Sequence, residues 1–237
     1  MGRLYGDKVE IERDAVKNFF NKRASKDGDS NIKKTEFSDD EVSIKRHEIE
    51  IRLLLDLIDF SGKKVLDIGC GTGRWAEVSH DKCESYLGVD LSDKFIDIAN
   101  ETYHYDNCEF QVVAAHEIYH KSNIKPPFDV VIFCGVIMYF NEEDIVETFQ
   151  ALNNLLSDNA QLYIRESISY MDVRLTLKDF YSDNLEDDYN VIYRTKDELM
   201  EHFSILDNMK VVKSENLFED LKSYSETGYR YFYLEKE

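Results

Sequence analysis

Between Lys64 and Arg165, short apolar runs alternate with amphipathic helical patterns. This alternation narrows the fold more than any other feature of the chain. The runs are Val65–Ile68, Ser85–Asp90, Phe110–Val113, Phe128–Phe133 and Ala160–Arg165. A strand covered on both faces reads as a continuous apolar run, and strands separated by helices build βαβ units on a parallel sheet. Ser92 caps a helix carrying Phe95, Ile96 and Ala99. Asn141–Asp144 opens another carrying Ile145, Val146, Phe149, Leu152 and Leu156.

The flanks differ. Residues 1–62 read as a helical cap. Ile11, Ala15, Val16, Phe19, Phe20 and Ala24 make one stripe, ended by a turn at Gly28–Asn31. A capping box at Ser38–Glu41 starts a helix with Ile44, Ile51, Leu54, Leu55 and Ile58 as its expected buried face. After a core at 63–167, residues 168–208 are rich in Tyr, Asp and Arg with weak periodicity, until a box at Thr195–Glu198 opens another helix. Residues 209–237 hold two strand-like stretches, Met209–Ser214 and Tyr229–Leu234, suited to close the sheet antiparallel. The whole reads as one domain.

Val65-Leu66-Asp67-Ile68-Gly69-Cys70-Gly71-Thr72-Gly73-Arg74-Trp75 joins the first of these strands to a helix. Glycines there let a ligand approach the backbone. The third glycine comes one residue too early for a dinucleotide fingerprint, and the Gly-Lys-Ser/Thr of a phosphate loop is absent. Asp67, beside the loop, would repel a pyrophosphate and suits an ammonium group. Asp90 ends the next strand, 21 residues after Gly69, where a carboxylate can accept both hydroxyls of a ribose. Together the two acids suit a nucleoside with a cationic amino-acid tail, such as S-adenosylmethionine.

Taken in order, Val65–Gly73, Leu87–Ser92, Phe110–Ala115 and Phe128–Val131 resemble the motifs of the class I S-adenosylmethionine-dependent methyltransferases, small-molecule type. The resemblance implies a Rossmann-like seven-stranded, mostly parallel α/β sheet with helices on both faces. It implies that Asp67, Gly69, Cys70, Gly71 and Gly73 hold the methionine part and Asp90 the ribose. Leu91, Ala115 and the Cys134-Gly135 turn would line the adenine and the donor. The family often has an Asp in its third motif for the adenine amino group. Ala114 stands there in this chain, so His116, Glu117 or backbone groups would substitute.

Ligands of open α/β sheets bind beyond the carboxyl ends of the strands. Tyr139, Arg165 and Glu166 are therefore expected near the transferable methyl, with Glu166 first among candidate bases, ahead of His47 and His116. The insert after the fifth strand is expected to act as an acceptor lid. Its Arg174, Tyr181, Tyr193 and Arg194 would suit a polar or anionic small molecule. From the N-terminal helices, Phe20 is expected to cover the donor and Arg46 to meet its carboxylate. His116 and His120 stand four apart without a third ligand, so no metal site is expected.

Lys plus Arg number 29 against 48 Asp plus Glu, a formal net charge of −19. Such a chain repels nucleic-acid phosphates and anionic membranes. The Asn/Asp-Pro-Pro-aromatic motif of base-amino methyltransferases is also missing. The longest apolar run, Val130–Phe140, is too short to span a bilayer. No signal-type apolar core opens the chain, and the four cysteines are scattered, so a cytoplasmic monomer or homodimer is expected. The layout is similar to bacterial methyltransferases of sugar, capsule and antibiotic pathways. That implies a sugar, nucleotide-sugar or phosphorylated acceptor. The alternatives are a small-amine N-methyltransferase or a catalytically silent donor-binding protein.

Overall fold

The computed structural model describes residues 2–26, 30–36, 40–120, 124–183, 185–221 and 225–237. The expected turn residue Gly28 and capping residue Ser38 lie outside the described residues.

Seven strands form the main sheet. Five are parallel: β2 (Lys64–Ile68), β3 (Ser85–Asp90), β4 (Cys108–Val112), β5 (Phe128–Cys134) and β6 (Leu156–Ser169). Two antiparallel strands, β9 (Met209–Leu217) and β10 (Thr227–Lys236), close the β6 edge in the order β4-β3-β2-β5-β6-β10-β9. This is the Rossmann-like sheet the motifs imply. Side chains alternate between its faces, so each strand feeds two cores. On one face, Leu66, Val131 and Phe133 meet Ile145, Phe149 and Leu152 of α6 (Glu142–Asn153) and Leu199 and Phe203 of α7 (Lys196–Phe203). On the other, Val65, Val130 and Ile132 meet α3 (Asp40–Leu57), α4 (Arg74–Ser79) and α5 (Asp93–Thr102) through Leu54, Trp75 and Ile96. Two apolar coats explain the uninterrupted apolar runs. The chain reverses its direction of growth between β2 and β5, and a crevice opens there at the strand ends.

The weakly periodic insert holds two strands. With β1 (Arg3–Tyr5), β7 (Leu175–Ser182) and β8 (Asp187–Tyr193) form a small antiparallel sheet. Its pairing shifts between Leu177 and Phe180, where Asp179 is left-handed (φ 45°). Such a bulge breaks two-residue alternation, which is why the strands do not read as strands. The short β1 likewise lies in a region expected to be wholly helical.

α1 (Arg13–Ala24) and α2 (Asn31–Thr35) lie with α3 on the cleft side. Asn141 pins the approach to α1, accepting from the Ile11 amide (2.9 Å) and donating to its carbonyl (3.0 Å). Asn21 holds the other end, donating to Asp93 (2.9 Å) and accepting from Ser92 (2.6 Å). The expected buried face of α3 needs correction. Leu54 and Ile58 are buried, but Ile44 and Leu55 are 46% and 39% exposed. Ser43, Arg46, Glu50 and Leu54 point inward instead. Among the described residues no helix is long and apolar enough to cross a membrane.

Candidate active site

The turn after β2 is possible only without side chains. Gly69, Gly71 and Gly73 have φ of +72°, +55° and +84°. A Cβ on Gly69 would lie 2.3 Å from Val136 Cγ2, and one on Gly71 2.8 Å from Thr35 Cγ2. The Gly69 and Cys70 amides donate to the Val89 carbonyl at 2.8 and 3.0 Å, tying the loop to β3. Asp90 completes the tie. Its Oδ2 accepts from the Gly71 amide (2.9 Å) and its Oδ1 from Ser92 (2.8 Å). Each oxygen keeps a second lone pair for a ligand. Burial pushes the Asp90 carboxyl up to about 6, against the pull of those amides.

Asp67 is fully buried. Tyr86 donates its hydroxyl to Oδ2, whereas Oδ1 is buried with no hydrogen-bond partner. Burial pushes this carboxyl up to about 7.

Three neighbouring cavities that share lining residues follow the strand ends. The first, about 970 Å³, is bordered by Asp90, Leu91, Ala114, Ala115, His116 and Phe20. Gly69, Gly71, Cys134, Gly135 and Tyr139 also border the second, of about 550 Å³. Its floor is a buried quartet. Arg165 donates to Glu50 (3.0 Å) and Glu36 (2.9 Å), and Arg74 meets the same acids at 3.2 and 3.5 Å. Burial alone would raise the Glu50 carboxyl, but Arg165 and Arg74 outweigh it and hold it at about 2. The third cavity, about 1340 Å³, lies beneath the small sheet and shares Met138, Ser167 and Tyr229 with the second.

Several expected positions need correction. Arg174 and Arg194 are 2% and 1% exposed and border none of the three cavities. Glu142 joins both, at 2.9 and 2.8 Å, and Glu198 also binds Arg174. Arginines neutralised in this way present no charge to an acceptor. Glu166 is 1% exposed and accepts from the amides of Val136 (2.9 Å), Ile137 (3.0 Å) and Met138 (3.1 Å). It clamps the turn after β5 and borders none of these three cavities, so the expected strand-end base is a backbone brace. His47 lies 3.3 Å from Arg74 Nη1; burial first and Arg74 second lower its pKa to about 4. Arg46 donates to the Leu221 carbonyl (2.5 Å), lies 4.9 Å from the Tyr229 ring centre, and borders the third cavity, not the first. Gly73 starts α4 and borders no cavity.

Other expected residues do border the cavities. Tyr139 borders the first and second, Cys70 and Arg165 the second, and Tyr181 and Tyr193 the third. Arg74, Glu36 and Glu50 were not singled out. Arg74 directly follows the glycine loop, and Glu50 stands four residues after Arg46 on one face of α3, which are the signals that could have found them.

Residues 65–159 match a family described as a methyltransferase domain. That match takes in β2 to β5, the strands whose ends form the crevice, and is consistent with the class I S-adenosylmethionine-dependent methyltransferase family. The chain is 28% identical over 162 residues to phosphoethanolamine N-methyltransferase 1 of Caenorhabditis elegans, covering 68% of the chain and 33% of that protein. It is 26% identical over 114 residues to an uncharacterised methyltransferase of Schizosaccharomyces pombe, covering 46% and 40%. The chain thus spans well under half the length of these two relatives. In fold it is similar to phosphoethanolamine N-methyltransferase 1 of Haemonchus contortus, solved with phosphoethanolamine and S-adenosylhomocysteine. The TM-score is 0.70 at 17% identity, over 94% of this chain and 48% of that one.

The residues at these strand ends fit S-adenosylmethionine as a methyl donor. Asp67 Oδ1 is buried with no hydrogen-bond partner among the described residues, although Asp67 stands behind the glycine loop and borders none of the three cavities itself. The glycine cradle has no room for a Cβ, and Asp90 keeps lone pairs toward the first cavity.

Proposed function

We propose that this methyltransferase moves a methyl group from S-adenosylmethionine to an oxygen or nitrogen of a small polar molecule seated in the third cavity. The wall formed by Met138, Ser167 and Tyr229, common to the second and third cavities, carries this reading. It gives donor and acceptor separate chambers with one junction. On this reading Asp90 binds the ribose hydroxyls, Asp67 the ammonium, and the Gly69–Gly71 backbone the methionine portion. Leu91, Ala115 and Phe20 enclose the adenine, and His116 stands at its edge in place of the usual acid.

The donor supplies a sulfonium methyl already activated for displacement. The protein's task is then alignment and exclusion of water. Phe20 packs edge-on against Tyr139 (5.0 Å between ring centres), and Tyr139 shares a 2.7 Å hydrogen bond with the Tyr189 hydroxyl. Burial raises the Tyr139 phenol well above its ordinary value, so Tyr139, at the border of the first and second cavities, keeps its own proton. Neither Glu166 nor His47 reaches the junction, which favours an acceptor that needs no strong base. Four free cysteines suit a reducing cytoplasm.

The relatives acting on phosphoethanolamine support a second reading, methylation of a small phosphorylated amine. Methyl transfer from labelled donor to acceptor panels, run beside calorimetry with S-adenosylhomocysteine, tests both. Donor binding without transfer to any acceptor would leave a silent binding protein. Failure of S-adenosylhomocysteine to bind would remove the donor assignment.

A further inference from the structure

The third cavity differs in chemistry from the expected anion site. Leu175, Leu177, Phe180, Tyr189, Tyr193 and Tyr229 form much of its wall. Among the described residues its charged ones are Arg3, Arg46, Asp183 and Glu226, two of each sign. Arg3 is paired with Glu226, and Arg46 is turned to the Leu221 carbonyl and the Tyr229 ring. A phosphate entering here would lose its water and find no uncommitted bidentate partner among these residues, which is costly for an anion. A flat apolar body would instead displace water from rings and leucines and stack upon them.

We infer that the chamber between β6, β10 and the small sheet binds an uncharged, aromatic-ring acceptor, whose phenolic hydroxyl or amine is directed toward Met138 and Ser167. This rests on the proposed methyl transfer and names the substrate class of that same site. The nucleophile follows from the junction. Tyr139 holds its proton, and Glu166 is occupied by three amides. A phenol loses its proton near neutral pH far more readily than an alkyl alcohol, and a neutral aromatic amine presents a lone pair outright. In transfer, the acceptor oxygen or nitrogen forms the new bond to the methyl carbon as the carbon–sulfur bond breaks. The sulfur keeps that electron pair, and the acceptor's proton passes to water.

The test is calorimetry on the full chain saturated with S-adenosylhomocysteine. The probes are catechin and naringenin as uncharged ring compounds, and phosphoethanolamine and UDP-glucose as phosphorylated ones. At least one ring compound is expected to bind more tightly than either phosphorylated probe. Leu177→Asp, which sets a charge in the apolar wall, should weaken that binding about tenfold or more, with S-adenosylhomocysteine affinity unchanged. Tyr181→Ala, at the exposed rim and harmless to folding, should weaken it about threefold. Tighter binding of a phosphorylated probe, no binding of either ring compound, or ring binding indifferent to both variants would overturn the inference. If S-adenosylhomocysteine itself does not bind, the donor reading fails instead, a result separable from these.

Discussion

At the carboxyl ends of β2 and β3, one side of the first cavity is glycine backbone and a carboxylate that is itself held by main-chain amides. Beneath β7 and β8, the third is bordered in large part by rings and leucines, most of them projecting from strands. A wall made of backbone admits few sequences, because each left-handed glycine and each anchoring acid is geometrically required. A wall made of side chains can change shape and polarity by substitution while the strands behind it stay put. The first region therefore reports the common donor, and the second reports what is particular to this chain.

The sharpest way to break the donor side is Glu50→Ala. It leaves Arg165 and Arg74 buried with Glu36 as their remaining acid, and should cost about 3–5 kcal/mol of folding stability, read by urea denaturation. A loss below 1 kcal/mol, roughly the scale of a surface pair, would mean the quartet is solvated. Next, Asp90→Ala should weaken S-adenosylhomocysteine binding by about 1.5–3 kcal/mol, measured by calorimetry; equal affinity would exclude it from the ribose site.

A pH series sharpens the comparison. Asp67 titrates at about 7 in the folded protein, pushed up by burial, and its ionised form is the one that attracts an ammonium. Donor affinity should therefore rise with pH from about 6 to 8, by at most about tenfold per unit, and Asp67→Asn should flatten the rise. Without ligand the sign reverses. The unfolded carboxyl releases its proton near 3.8, so Asp67 subtracts stability as pH climbs from there toward 7. The smallest effect belongs to the acceptor side. Tyr181→Ala should change folding stability by less than about 0.5 kcal/mol while raising the acceptor KM and leaving the donor KM alone.

What could be read from sequence follows the same division. Strands coated on both faces are continuous apolar runs, and Asp67, Asp90 and the glycines sit within one short stretch. The inward face of α3 was hidden because it is polar: Arg46 and Glu50 are buried where an apolar stripe was expected, leaving Ile44 and Leu55 outside. Arg174 and Arg194 looked available because Glu142, which neutralises them, lies 32 and 52 residues away along the chain. Distant pairing of that kind leaves no local pattern. The β7–β8 pair was concealed by the bulge at Asp179.

Glu142 also bonds His202 at 3.2 Å, so one carboxylate at the start of α6 gathers Arg174, Arg194 and α7 into a single knot. Its consequence is mechanical. Riveted at that shoulder, the small sheet is a standing wall and not a hinged door. If the third cavity is the acceptor chamber proposed above, its dimensions are then set before any guest arrives.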